Sequence, residues 1–141
     1  YEWVQTAFSL LVQGDRESVF PVCREHGLGY TPFSPLAGGW LAGIYRRGEA
    51  PPAGSRMALR PEPYAGYASD RVYDALEALE REARERGVST VALALAWVLS
   101  QPGLTGVIVG PDRAGQLAAA FEALDIHLSP GDRDHLTGVF S

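Results

Sequence analysis

The chain has 141 residues, enough for one domain or part of one, and 46% of them are hydrophobic, an ordinary fraction for a globular protein. A net charge of −5 without a contiguous basic run argues against nucleic acid as the main partner, and no apolar run reaches membrane-spanning length. The single Cys23 excludes an internal disulfide. With no secretory signal at the start, we expect a cytoplasmic protein.

The first predicted elements are a strand and a helix. The chain begins at Tyr1 without an initiator methionine and enters a strand almost at once, which indicates the middle of a longer protein or of an incomplete gene. Aromatic and β-branched residues favour a strand over Glu2–Phe8. A polar turn precedes a predicted helix over 18–26, in which Pro21 is tolerated in the first turn and which Gly27 ends.

The stretch 30–43 organises the rest of the chain. Alternation over 28–33 predicts a second strand, which breaks at Ser34-Pro35 and leads into two glycines, the first of them Gly38. Glycines let the backbone approach a ligand closely, and prolines fix a turn. Parallel α/β proteins place their chemistry in such loops, at the carboxyl ends of buried strands.

The middle of the chain is predicted to be a helical turn, a loop and a long helix. The turn covers 40–45, and the Pro- and Gly-rich segment 46–66 is predicted to be a long surface loop, of the kind that forms lids or binding loops or stays disordered. Ser69 is predicted to cap a helix that runs to Arg86. Three pairs with the acid four residues before the base favour a solvated face on it: Glu77–Arg81, Glu80–Arg84 and Glu82–Arg86.

The last third of the chain is predicted to alternate between helix and strand. A helix over 90–101, capped by Ser89, is apolar nearly all round and therefore needs cover on several sides. An unbroken apolar run over 104–109 predicts a third, buried parallel strand. Helices over 113–124 and from Ser129-Pro130 follow. Three parallel strands alone would leave two edges unpaired, so we expect further strands from elsewhere.

Three sequence motifs resemble those of a known family. They are Gly29-Tyr30-Thr31-Pro32-Phe33-Ser34-Pro35-Leu36-Ala37-Gly38-Gly39, then Ala92-Leu93-Ala94-Leu95-Ala96-Trp97-Val98-Leu99, then Val107-Ile108-Val109-Gly110 with Arg113 and Gln116. In this order they resemble the carboxyl-terminal part of the aldo-keto reductases, which are NADP-dependent (β/α)8 barrels. The resemblance covers nearly all of residues 1–141. It implies an α/β fold, a partial TIM barrel of three parallel strands with flanking helices, corresponding to the sixth to eighth βα units.

The resemblance implies a binding site for NADP(H). Gln5 falls where the family has a glutamine that hydrogen-bonds the nicotinamide carboxamide, and Phe33 falls where an aromatic ring stacks on the nicotinamide. The alternatives are a polar strand residue without a ligand for Gln5 and a core side chain for Phe33. The loop that wraps the pyrophosphate in the family matches five residues here: Ser34, Pro35, Leu36, Ala37 and Gly38.

The second part of the implied site follows the third strand. Its residues are Gly110, Pro111, Arg113 and Gln116, at a strand end and the first turn of a helix, where anions bind. Arg113 would add a charge for a 2′-phosphate, which favours NADP over NAD, although a surface arginine is most often simply solvated. The family commonly has a Glu-Asn pair on this helix, and Ala119 and Ala120 stand there instead.

No catalytic residue and no metal ligand is assigned within this chain. The tyrosine, aspartate, lysine and histidine of the family come from the earlier half of the barrel, and this sequence has no lysine. Local candidates have plainer explanations: a helix end for His26, a polar solvent-exposed tail for His127 and His135, and packing for Tyr30. Tyr64 and Tyr67 are possible lid residues.

We therefore expect the NADP(H)-binding half of an oxidoreductase whose parent enzyme passes hydride from NADPH to an aldehyde or ketone. Its partner would be the missing amino-terminal half of the barrel. Two alternatives remain: a non-catalytic, cofactor-sensing regulatory subunit of the same fold, and an inactive fragment that associates through its open edges. No feature of the segment 46–66 identifies the carbonyl substrate.

Overall fold

A two-stranded parallel sheet forms the centre of the chain. In the computed structural model, which describes residues 2–141, strand β1 is Trp3–Val4 and strand β2 is Gly29–Tyr30, paired residue for residue. The pairing continues beyond both strands, because the Phe33 N–H donates to the Thr6 carbonyl and the Phe8 N–H donates to the Phe33 carbonyl. The predicted first strand is therefore correct in position, although regular strand structure covers only its first part.

The predicted third strand is wrong, because the segment 104–109 lies beside β2 without forming a ladder. The N–H groups of Thr105 and Ile108 donate at 2.9 Å to the carbonyls of Tyr30 and Pro32, so the segment runs in the same direction as β2. In return the Tyr30 N–H donates to the Thr105 hydroxyl at 3.1 Å, and Pro32 has no N–H to give. Since β2 cannot supply the donors of a continuous ladder on this side, residues 2–141 hold two parallel strands and not three.

Two short helices follow β1 where the sequence predicted one. Helix α1 is Asp15–Ser18 and helix α2 is Phe20–His26, so helical structure begins earlier than predicted. Pro21 lies in the first turn of α2, where its missing N–H is no loss. Gly27 ends α2 with φ of 64°, as predicted.

The segment after β2 is more structured than the sequence indicated. A kinked 3₁₀ helix covers Ala37–Ala42, slightly earlier than the predicted turn. Within 46–66, helix α3 is Arg56–Leu59, and a 3₁₀ turn covers Ala65–Tyr67. The Ser55 hydroxyl caps α3 by accepting the Ala58 N–H.

The longer helices lie where the sequence predicted them. Helix α4 is Asp70–Arg86, α5 is Thr90–Leu99, α6 is Leu117–Leu124 after a 3₁₀ turn at Ala114–Gln116, and α7 is Pro130–Val139. The hydroxyls of Ser69, Ser89 and Ser129 each accept an N–H from the first turn that follows, as capping residues do. None of the helices described in residues 2–141 is long and apolar enough to cross a membrane.

Helix α5 lies in the middle of the packing, as its all-round apolar surface predicts. It packs against α4 on one side and α6 on another. Trp97 of α5 stacks on Phe8 with ring centroids 5.2 Å apart, and its indole N–H donates to the Arg133 carbonyl of α7 at 3.1 Å. A smaller apolar cluster joins α5 to α6 and consists of Ala92, Leu95, Ala96 and Ala123.

The acidic face of α4 binds arginines from outside the helix. Arg46 pairs with Glu80 at 2.6 Å, and the Arg47 guanidinium lies over the Tyr73 ring. The acidic partners of Arg47 are Asp70, Asp74 and Glu77. Of the three pairs predicted within α4, Glu82–Arg86 at 2.8 Å is the one found among the described residues. The other glutamates instead fasten the chain that precedes α3.

Candidate functional site

The loop after β2 has a backbone that its surroundings must hold in place. Ser34 and Ala37, neither of them glycine, have φ of 54° and 48°, and Gly38 and Gly39 follow with φ of 66° and 100°. Left-handed backbone costs a non-glycine residue about 1–2 kcal/mol. Residues in such conformations are concentrated at ligand sites, which makes this loop the leading candidate. Pro35, between the strained positions, is buried.

The ring of Phe33 is exposed at the point where β2 gives way to the loop. Its exposed fraction is 43%, whereas Tyr30 and Pro32, which precede it in the chain, are buried. Phe33 is therefore not part of the core formed by residues 2–141. An exposed aromatic ring at the carboxyl end of a strand is suited to stacking on a planar ligand.

Three N–H groups of the loop have no backbone partner. Within residues 2–141, those of Ser34, Leu36 and Gly38 donate to no backbone carbonyl, whereas those of Ala37 and Gly39 donate within the loop. Successive N–H groups on backbone that changes between right-handed and left-handed conformations form a concavity that binds anions. The loop therefore carries the donors that a phosphate group requires.

Two tyrosines hold the glycine end of the loop. The Tyr45 hydroxyl donates to the Gly38 carbonyl at 3.0 Å and accepts the Met57 N–H of α3 at 3.2 Å. The Tyr64 ring lies against Gly38, where an added Cβ would come within 2.7 Å of it. The segment 46–66 thus folds back onto the loop, and a lid role of Tyr64 remains a prediction. No sequence signal pointed to Tyr45.

The candidate site has two arms: the loop after β2 is the first arm, and the turn that leads into α6 is the second. Gly110, Pro111 and Arg113 are all exposed. The Gln116 side-chain oxygen Oε1 accepts the Asp112 N–H at 2.7 Å and the Arg113 N–H at 3.4 Å. Gln116 therefore caps the start of its own helical segment, a role that the sequence did not predict.

The two arms start from the same end of the sheet. The hydrogen bonds from the segment 104–109 to the segment of β2 make these two segments run in the same direction. Leu36 in the first arm and Val109 in the second pack against the same apolar cluster between α5 and α6. The exposed ring of Phe33 and the turn at Gly110 therefore belong to one region of the molecule.

Gln5 has an exposed side chain, so its carboxamide does not need a ligand to complete its hydrogen bonds. Its Nε2 donates to the Thr31 hydroxyl at 3.3 Å. A role of Gln5 in binding remains a prediction from the resemblance.

A partly buried polar network joins the segment after β1, helix α1 and strand β2. The Tyr30 hydroxyl donates to Asp15 Oδ2 at 2.5 Å and lies 2.7 Å from the Thr6 hydroxyl, which also hydrogen-bonds Asp15. Burial and the bond to Asp15 raise the pKa of Tyr30 well above its ordinary value. A phenol that stays neutral and bonded in this way fixes α1 against the sheet, which extends the predicted packing role of Tyr30.

The histidines occupy the positions that the sequence indicated. His26 is the last residue of α2, and His127 is exposed. The side chain of His135 is 65% exposed, and its Nε2 lies 3.3 Å from a Glu82 oxygen. Across residues 2–141, no group of three His, Cys, Asp or Glu side chains is arranged to hold a metal ion.

The family model described as Aldo/keto reductase family matches residues 2–139. The chain is similar in fold to part of the glycerol dehydrogenase AKR11B4 from Gluconobacter oxydans, with a TM-score of 0.79 at 20% identity over 97% of this chain and 41% of that one. This likeness supports an α/β fold similar to part of a TIM barrel.

Two curated relatives are similar in sequence. A probable voltage-gated potassium channel subunit beta of Oryza sativa subsp. japonica is 38% identical over 86% of this chain and 38% of its own length. An L-glyceraldehyde 3-phosphate reductase of Escherichia coli (strain K12) is 32% identical over 86% of this chain and 36% of its own length. The chain thus spans well under half the length of these relatives.

Proposed function

The chain belongs to the aldo/keto reductase family, and from that premise we propose that it is the NADP(H)-binding part of a reductase that passes hydride from NADPH to an aldehyde or ketone. One arrangement carries the proposal. The exposed Phe33 ring lies at the same end of the sheet as the turn that leads to Arg113. The N–H groups of the Phe33 loop that have no backbone partner lie there as well. A planar ring, a pyrophosphate and a further phosphate are the groups that such an arrangement would bind.

Each part of the chain has one proposed task. The Phe33 ring packs on one face of the nicotinamide, and the Gln5 carboxamide hydrogen-bonds the carboxamide of that ring. The N–H groups of Ser34, Leu36 and Gly38, which have no backbone partner within residues 2–141, donate to the pyrophosphate. The bound nicotinamide supplies the hydride, and this chain fixes its position.

The adenine end of the cofactor has weaker support. Ala119 and Ala120 offer no polar side chain there, and the Gln116 oxygen is already used inside the chain. Arg113 is then the main fixed charge that this arm offers to a 2′-phosphate. We propose that cofactor affinity depends on Arg113 more strongly than it would with a polar pair present.

The missing part of the barrel is the proposed partner. Residues 2–141 form a sheet of two strands, whereas the matched relatives are more than twice as long. We propose that further strands pair with the open edges of β1 and of the segment 104–109, since unpaired edges bind additional strands readily. The catalytic groups would come from that part.

Fluorescence titration of NADPH into the barrel, rebuilt with an amino-terminal half of the family, tests the site. Removing an aromatic stack or a charged phosphate contact at Phe33→Ala or Arg113→Ala should weaken binding by about tenfold or more. Phe121→Ala and Arg84→Ala are matched controls, because both side chains are exposed outside the proposed site. Equal affinity in all four variants and the unaltered protein would refute the assignment.

A second candidate is a cofactor-binding regulatory subunit of the same fold. The observation that favours it is the 38% identity to a probable potassium channel subunit beta. Both candidates bind NADPH, so binding alone does not separate them. Consumption of NADPH with a panel of aldehydes and ketones does, because a regulatory subunit would bind the cofactor without appreciable turnover.

A further inference from the structure

A cavity away from the loop after β2 is lined by an unusual number of positive charges. It has a volume of about 580 Å³ and lies among α1, α2, the start of α4 and the ends of α5 and α7. Four of the twelve arginines of the chain line it: Arg16, Arg24, Arg71 and Arg133. One acidic side chain, Glu17, is also part of the lining. None of the residues predicted to hold the cofactor lines this cavity.

The positive charge in the cavity is only partly neutralised. Arg16 and Arg133 share one carboxylate, that of Asp134, at 3.7 and 3.4 Å. Arg24 and Arg71 take part in none of the salt bridges found within residues 2–141. A concentration of guanidinium groups is unexpected in a protein of net charge −5, because like charges repel each other unless an anion lies between them.

The rest of the lining is mixed in character. Apolar surface comes from Leu11, Phe20 and Phe140. Buried Gln101 closes one side, and its Nε2 donates to the Trp97 carbonyl at 3.0 Å. Apolar walls with a few convergent polar groups, in a volume of several hundred Å³, are typical of sites for small molecules.

We propose that this cavity binds a small organic anion that carries a phosphate or polycarboxylate group. Guanidinium groups bind such groups through paired, charge-assisted hydrogen bonds. Arg24 and Arg71, both exposed, supply charges that no acid among residues 2–141 engages in a salt bridge, and the Phe20 and Phe140 rings contact the carbon skeleton. The ligand competes with Asp134 for Arg16 and Arg133.

Calorimetric titration at constant ionic strength tests the proposal on protein that carries the complete 141-residue sequence. The probes are inorganic phosphate, glycerol 3-phosphate and citrate. The double variant Arg24→Gln/Arg71→Gln should bind the preferred probe more weakly, by about tenfold for each arginine removed. Asp134→Asn should bind it several-fold more tightly, because it frees two arginines. The relative affinities for glycerol 3-phosphate and citrate identify which anionic group the cavity prefers.

Arg113→Gln is the control that separates this site from the proposed cofactor site. Unchanged binding of the probe by Arg113→Gln, with loss in the double variant, supports the cavity. Loss in Arg113→Gln with full binding in the double variant would place the anion at the cofactor loop and refute the proposal. Absence of binding by any probe would refute it as well.

Nuclear magnetic resonance provides a test that needs no variant. The side-chain amides of Gln13 and Gln101 line the cavity. Addition of the best probe should shift both signals in the unaltered protein, with saturation at the calorimetric affinity. Signals that stay in place while the anion binds elsewhere would overturn the proposal, even if the double variant failed to fold.

Discussion

Gly38→Ala tests whether the segment 46–66 is packed on the candidate loop as the structure has it. The substitution has two costs. The first is conformational, because φ at Gly38 is 66° and left-handed backbone costs alanine about 1–2 kcal/mol. The second is steric, because the new Cβ would lie 2.7 Å from the Tyr64 ring, and overpacking of this kind costs about 1–3 kcal/mol.

Gly48→Ala is the matched control, since it has only the first cost. Its φ is 76°, and no atom lies within 4 Å of an added Cβ. Urea denaturation followed by circular dichroism should therefore give a free energy of unfolding that falls by about 1–2 kcal/mol for Gly48→Ala and by about 2–5 kcal/mol for Gly38→Ala. The difference between the two variants isolates the contact with Tyr64.

A double variant completes the test. In a Tyr64→Ala background the steric cost disappears, so Gly38→Ala should then destabilise the protein by about as much as Gly48→Ala does. Equal costs for the two glycine substitutions in the unaltered background would refute the reasoning. The Tyr64 ring would then not rest on Gly38, and the segment would not cover the loop.

Three further variants test other parts of the structure. Tyr30→Phe removes the hydroxyl that donates to half-buried Asp15, and we expect a loss of about 1–2 kcal/mol in the free energy of unfolding, measured in urea. Hydrogen bonds from Ser129 hold the pKa of Asp132 well below its ordinary value. The stabilisation of the folded state by these bonds is therefore present above about pH 4 and is lost as the pH falls further. Asp132→Asn should accordingly lose less stability than the unaltered protein in denaturation series from pH 6 to pH 2. Arg47→Gln removes exposed ion pairs with α4, so its small destabilisation should vanish in 1 M salt, and a salt-independent loss would contradict an electrostatic role.

The candidate site was predictable where it depends on neighbouring residues. The break at Ser34-Pro35 and the glycines after it are visible in the sequence, and the strained loop forms there. The failure of the third strand was also visible in one respect. Pro32 stands in the middle strand of the predicted sheet, where a missing N–H prevents a complete ladder on one side.

Other parts of the site depend on residues far apart in the chain. The contact of Tyr64 with Gly38 and the bridge that Tyr45 makes between Gly38 and Met57 have no periodic signal. The exposure of Gln5 likewise follows from the arrangement of the sheet and not from the side chain itself. These positions required coordinates.

The sequence alone determined the long helices, the serine caps of α4, α5 and α7, and the glycine ends of α2 and α4. The spacing and hydrogen bonds that define a helix lie within a few residues of one another. Tertiary structure alone decided which charges meet across the chain. The glutamates of α4 could pair within the helix or with Arg46 and Arg47, and packing selected the latter for Glu77 and Glu80. The arginine-lined cavity arises in the same way, because its four guanidinium groups come from four different helices.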